Sequence, residues 1–306
     1  MSNPSGKGWI CLECHHENHP VVCKLAVIPR LTCGGPGCKT RSTTSYECRL
    51  TQTVIVGRQS RQKIQLDVPI YRQNAENCGC YATLTVVQLM WRLHFAWSFG
   101  AYHSVEPDEV KFAALYRLHN LVTYPRDRHG NPMEEIYIEK ALDLVLKFGI
   151  PIKSSKLCSG ALIPERTIKI KSCLSVIHLP IEELTKLIGN GFPLIGTVPM
   201  GRLQSLISCQ EVYYAPTLIP NKFNEGFHMV ALIGSGLGPK HIAGTEPVHE
   251  TYFVARDSGG IDAHASTSKG KSNREKGVGG DFLVWGSDLC EAWMVEIVDD
   301  YLPTKK

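Results

Sequence analysis

Residues 77 to 93 read NCGCYATLTVVQLMWRL. After the two cysteines, Cys78 and Cys80, the stretch is apolar almost all the way round. A helix with a single apolar stripe lies on a surface, whereas one that is apolar on every side has to be covered on every side. The stretch therefore predicts a central helix over residues 80–93, buried between layers supplied by the rest of the chain. It also sets two thiols at the mouth of that helix.

The remaining elements divide into two groups. Residues 107–120 carry Val110, Ala114, Tyr116 and Leu118 at helical spacing. Residues 135–148 carry Ile138, Ala141, Leu142, Val145 and Phe148, and Gly149 ends the run. Residues 180–188 open with proline and stop at Gly189. Beyond that point the pattern changes to strands: PLIGTVPM at 193–200, FHMVALIGSG at 227–236, TYFVARD at 251–257, DFLVW at 281–285 and AWMVEIV at 292–298. Helices first and strands later predict an α+β fold, with a helical lobe and a sheet lobe. The polar stretch IDAHASTSKGKSNREK, 261–276, shows no periodicity and reads as a mobile surface loop.

Bulk properties narrow the class. The chain has 306 residues, a formal charge of +4 and 12 cysteines. The charge is too mild to be a nucleic-acid footprint by itself. Apolar stretches are too short to span a bilayer, so no membrane partner is expected. The opening MSNPSGKGWICLEC has no apolar secretory core. Twelve cysteines without a leader point to metal binding or catalysis rather than a disulfide framework, and to an intracellular protein, in cytoplasm or nucleus.

A thiol attacks a carbonyl as thiolate, and a helix N-terminus favours that negative charge. On residues 80–93 as the helix, Cys80 begins it and Cys78 precedes it in the turn, which makes Cys80 the expected nucleophile.

The segment QNAENCGCYATL resembles the active-site segment of papain-like cysteine proteases, in which a glutamine, two cysteines, an aromatic residue and alanine lead into a long central helix. The order of later segments is similar too: EKALDLVLKFGIP, PIEELTKLIGNGFPLIGTVPM, GFHMVALIGSG and YFVARDSGG. The likeness runs over roughly residues 64–298. It implies a two-lobe fold, a helical lobe with a central helix beside an antiparallel barrel-like β lobe. It also implies thiol peptidase chemistry on protein or peptide substrates through an acyl-enzyme intermediate. On this match Cys80 is the nucleophile, His228 the base, Asp257 the group orienting the base, and Gln73 the oxyanion donor. Met229 and Thr197 fall where the family lines its specificity pocket, and ordinary core packing explains them equally well.

The chain departs from the family in several places. Asp257 stands where the family has asparagine, and Gly259 where it has a tryptophan covering the histidine–asparagine bond. An uncovered bond implies weak orientation of His228, which Gly259→Trp is expected to strengthen. Gln73 lies seven residues before Cys80 and Asn74 six, so either is a candidate donor. The family's Cys-x-Gly-Gly substrate shelf is not identifiable, and Cys78 reads as a free thiol. These departures keep open a catalytically silent scaffold.

Residues 1–45 form a separate unit. GWICLECHHEN carries Trp9, Cys11, Cys14 and Asn18, and resembles half of a Ran-binding-protein zinc finger. Cys33 and Cys38 sit in the glycine turn CGGPGC. Four thiolates suit one tetrahedral structural Zn²⁺, so a zinc ribbon of Cys11, Cys14, Cys33 and Cys38 is expected, with Cys23 or His16 as substitute ligands. Related fingers bind ubiquitin or single-stranded RNA, which adds a ubiquitin-directed thiol peptidase as an alternative function. Residues 46–63 read as a linker, and 64–306 as the peptidase domain.

Overall fold

The computed structural model describes residues 68–73, 77–99, 106–119, 137–153, 167–189, 191–200, 212–215, 226–240, 246, 248–260, 263–264 and 280–297, together with residue 36 and short strands between residues 9 and 65. Those strands are β1 (Trp9–Ile10), β2 (Glu17–Asn18), β3 (Val21–Cys23), β4 (Ala26–Ile28), β5 (Cys48–Arg49), β6 (Thr53–Val56) and β7 (Gln62–Gln65). β1 pairs with β2, β3 with β4 and β6 with β7, all antiparallel. β5 lies within the stretch expected to be a linker, yet it pairs with the main sheet through Arg49↔Gly234 and Cys48↔Ser235.

Three helices follow: α1 (Cys78–Phe99), α2 (Glu109–Leu118) and α3 (Ile138–Phe148). Next come β8 (Ile150–Pro151), β9 (Thr167–Ile168), β10 (Ile170–Ser175), α4 (Ile181–Gly189) and β11 (Leu194–Met200). The chain continues through β12 (Val212–Tyr213), β13 (Gly226–Lys240), β14 (Val248–Arg256), β15 (Asp281–Trp285) and β16 (Glu291–Ile297). The fold is α+β, with an eight-stranded sheet ordered β10-β16-β11-β13-β14-β15-β12 and β5 added beside β13. Neighbours are antiparallel except β12 and β15. Among the described residues this path is open rather than closed into a barrel.

α1 is the central element that its composition requires. It packs on β13, β11 and β16 on one side and on α3 on another. Leu84, Val86, Val87 and Leu89 are fully buried. Thr83 and Thr85 are buried as well, and their hydroxyls donate to the carbonyls of Gly79 and Tyr81 one turn back, so neither hydroxyl is stranded. At 22 residues α1 is longer than expected, and it starts two residues earlier. Asn77 closes the first turn, its carbonyl accepting from the N–H of Cys80 at 3.0 Å. Among the described residues no helix is long and apolar enough to cross a membrane.

β10 was not apparent in the sequence. Its segment IKSCLS alternates poorly and lies half-exposed at the sheet's edge, where it is held by β16.

Candidate functional site

Three segments meet at the start of α1. β13 passes beside it and supplies His228 and Met229. The end of β14 supplies Asp257. Residues 68–73 run back toward the same point and end in Gln73.

A buried ion pair ties two of these segments together. Arg256 forks onto Asp281, Nε to Oδ1 at 2.8 Å and Nη2 to Oδ2 at 3.0 Å. Its Nη1 donates to the carbonyl of Val68 at 2.7 Å. One guanidinium thus joins β14, β15 and the segment that ends in Gln73. The adjacent backbone is fixed by Asp257 N–H donating to Gly280 and by Gln73 N–H donating to Ser258, both at 2.7 Å. Gly280 has φ 91, which favours glycine there.

Cys78, not Cys80, faces the histidine. The side chain of His228 is hydrogen-bonded to Cys78. The backbone N–H of Met229 donates to the Cys78 sulfur at 3.4 Å. That N–H is available because pairing between β13 and β14 begins only at Ala231. Cys80 lies in the core at 1% exposure, against the Tyr116 hydroxyl of α2. Burial pushes its thiol well above the ordinary range, and the tyrosine contact offsets only part of this.

The placement of Cys80 at the mouth of the helix is therefore corrected. With α1 starting at Cys78, the residue with free N–H groups around it is Cys78. Side chains two apart on a helix diverge by roughly 200°, so when one thiol faces the sheet the other must face α2.

The fold brings His228 and Asp257 together. His228 Nε2 meets Asp257 Oδ1 at 2.7 Å, and both side chains are buried. This leaves Nδ1 for the thiol. Burial alone would push the imidazolium down, but the Asp257 and Cys78 hydrogen bonds outweigh it and raise the ring to about 10. Asp257 is shifted the other way. Burial would raise it, but hydrogen bonds from His228 and from His264 hold it well below the usual carboxylate range.

His264 was not expected. It falls in the stretch read as a mobile loop, of which Ala263 and His264 are described, in a turn. Its Nε2 meets Asp257 Oδ2 at 2.8 Å, and it is buried at 3% exposure. Ala263 N–H donates to Gly260, and Gly280 N–H donates to Ala263, which pins the turn across the carboxylate. The only sequence signal was a histidine close behind the Asp257-Ser258-Gly259-Gly260 turn.

The bare His–Asp bond expected from Gly259 is likewise corrected. A Cβ at Gly259 would lie 2.9 Å from the Ala263 Cβ, so the Ala263–His264 turn occupies the space of a cover. Gln73 is partly exposed, and its Oε1 accepts from the Ser258 hydroxyl at 2.5 Å. That contact occupies the amide oxygen and leaves the NH₂ as the donating end. Asn74 lies outside the described residues.

Met229 is partly exposed beside Cys78, whereas Thr197, its register partner on β11, is buried and donates its hydroxyl to Glu291 at 2.8 Å. Cys78 itself is a free, partly exposed thiol. Cys11, Cys14, Cys33 and Cys38, with Cys23's side chain and His16, lie outside the described residues. Among the described residues no cluster of three or more His, Cys, Asp or Glu side chains is placed to hold a metal ion.

No family model matches the sequence, and no curated protein matches it. Among solved structures the chain is similar to digestive procathepsin L 3 of Tenebrio molitor larval midgut, at 13% identity and a TM-score of 0.46, covering 75% of this chain and 66% of that one. It is also similar to the Carica candamarcensis cysteine protease CMS1MS2 in complex with E-64, at 15% identity and a TM-score of 0.44, covering 75% and 92%. A further neighbour is the bromelain protease from Ananas comosus in complex with the E64 inhibitor, at 12% identity and a TM-score of 0.44, covering 76% and 94%. All three are papain-like cysteine proteases.

Proposed function

We propose that the chain is a thiol peptidase that cleaves peptide bonds through Cys78, His228 and Asp257. The observation that carries this reading is one partly exposed thiol held by a buried imidazole, whose far nitrogen is held in turn by a carboxylate. That is the relay needed to ionise a cysteine and return its proton.

In this mechanism His228 takes the Cys78 proton, giving a thiolate–imidazolium pair. The helix terminus and the Met229 N–H stabilise the sulfur's charge. The thiolate attacks the substrate carbonyl carbon, and the carbonyl π pair moves to oxygen. Gln73 Nε2 and the backbone N–H of Cys78 receive that oxyanion. As the tetrahedral species collapses, the C–N bond breaks and His228 gives its proton to the leaving amine. Water then attacks the thioester with His228 as base, which releases the acid and restores Cys78. Asp257 keeps the ring oriented throughout.

An epoxysuccinyl compound tests the reading, since a thiolate opens the epoxide only when a neighbouring acid donates to its oxygen. The expected result is one adduct per chain, on Cys78, together with cleavage of an unfolded protein substrate. Absence of both would favour the silent scaffold.

The N-terminal unit is proposed to bind one structural Zn²⁺ through Cys11, Cys14, Cys33 and Cys38. The antiparallel pairing Trp9↔Asn18 and Ile10↔Glu17 supports this, because it brings together the two ends of the segment carrying Cys11 and Cys14. Ubiquitin or RNA is the proposed partner class for that unit.

A further inference from the structure

Asp257 has histidines on both of its oxygens. Oδ1 accepts from His228 at 2.7 Å and from the Gly259 N–H at 3.0 Å, and Oδ2 meets His264 at 2.8 Å. A carboxylate only accepts, so the His264 nitrogen facing it carries a proton. The His264 ring is further fixed by stacking on Phe282 of β15, with centroids 4.5 Å apart and planes at 25°. Its backbone has φ 57, a conformation that side-chain-bearing residues rarely adopt. Among the described residues it is the only non-glycine in that region. A strained, buried ring aimed at the second oxygen of the orienting carboxylate has a specific task available to it.

We propose that His264 is a positioning residue: its ring N–H holds the second oxygen of Asp257, fixing and sealing the carboxylate that orients His228 against Cys78. The role rests on the peptidase reading of that site. A buried carboxylate with one oxygen unsatisfied rotates, draws in water or takes up a proton, and each outcome weakens its hold on an imidazolium. Cys78 from α1 and Asp257 from the end of β14 face His228, and His228, His264 and the Gly259 N–H face Asp257. His264 therefore reaches the sulfur through three hydrogen bonds and touches no reacting atom.

The test pairs His264→Gln with His264→Leu, of which only glutamine carries an N–H donor, and its amide reaches as far as the ring Nε2 that meets Asp257. In the full-length protein, ¹⁵N-histidine NMR follows the titration of His228, while iodoacetamide mass mapping follows Cys78. The leucine variant is expected to lower the His228 midpoint by about one pH unit or more, and to slow peptide cleavage about tenfold or more. The glutamine variant is expected to restore most of both. If the leucine variant does not fold, His264→Phe, which keeps the stack on Phe282 and lacks the donor, takes its place. A folded donor-less variant with an unmoved His228 midpoint would overturn the proposal and leave His264 as packing alone. A midpoint that follows the donor in a protein with unreactive Cys78 would sustain the positioning role and overturn the peptidase reading instead.

Discussion

Cys78 and Cys80, two residues apart on one helix, have opposite surroundings. Cys78 is partly exposed, bonded to the His228 side chain and to the Met229 N–H, while Cys80 is buried against Tyr116. Iodoacetamide near neutral pH should label Cys78 first. Cys78→Ala should abolish peptide cleavage, and Cys80→Ala should keep it while costing about 1–2 kcal/mol of stability through the small cavity it leaves. Preferred labelling of Cys80 would reverse the assignment.

The His228–Asp257 pair should leave a signature in stability against pH. His228 is raised in the folded state from 6.5 to about 10, so its stabilisation is complete below about 6.5 and is lost as pH rises toward 10. Asp257 is lowered, so its stabilisation is present above the ordinary carboxylate range and is lost as pH falls. Urea unfolding of the wild type and His228→Gln should therefore differ most near pH 5–6, and the gap should close toward about pH 10. A gap that widens with alkalinity would contradict the pairing.

Gln73 and Ser258 should separate in kinetics. Gln73→Ala removes the proposed oxyanion donor and should lower kcat about 10²–10³-fold. Ser258→Ala removes only the hydroxyl that fixes the amide, so a loss of about tenfold is expected, with KM little changed. Equal losses from the two would mean that Gln73 acts through structure rather than on the oxyanion.

Gly259 should resist every larger residue. Its missing Cβ faces Ala263 at 2.9 Å and Asp257 Oδ2 at 3.5 Å. Gly259→Ala should destabilise by about 1–3 kcal/mol. Gly259→Trp should disrupt the turn and reduce cleavage rather than raise the acylation rate. A faster Gly259→Trp enzyme, read by burst kinetics, would show that the turn yields easily.

The full-length protein purified without chelator should carry close to one zinc per chain by elemental analysis, and replacing Cys11 and Cys14 by serine should remove it. Metal retained in that variant would place the ligands elsewhere.

Much of the architecture was legible because it follows from local pattern. The all-round apolar character of residues 80–93 required a buried helix, and residues 79–92 of α1 are all buried. Spacing located α2, α3 and α4 and the five principal strands of the second half, since helical and strand periods survive in a single sequence. The pairing of His228 with Asp257 was legible only through the ordered motifs that carry them.

The tertiary structure decided which thiol meets the imidazole, because side chains two apart on a helix point in nearly opposite directions and only the packing of α1 settles which of them faces the sheet. It also decided what closes over Asp257. His264 sits in a polar stretch whose local pattern says nothing of burial, and it is buried only because β15 brings Phe282 beneath it and Gly280 beside it. Periodicity fixes which residues form an element, but contacts between residues distant in the chain arise when those elements pack, and at this site packing chose both the thiol that meets the imidazole and the group that holds the carboxylate.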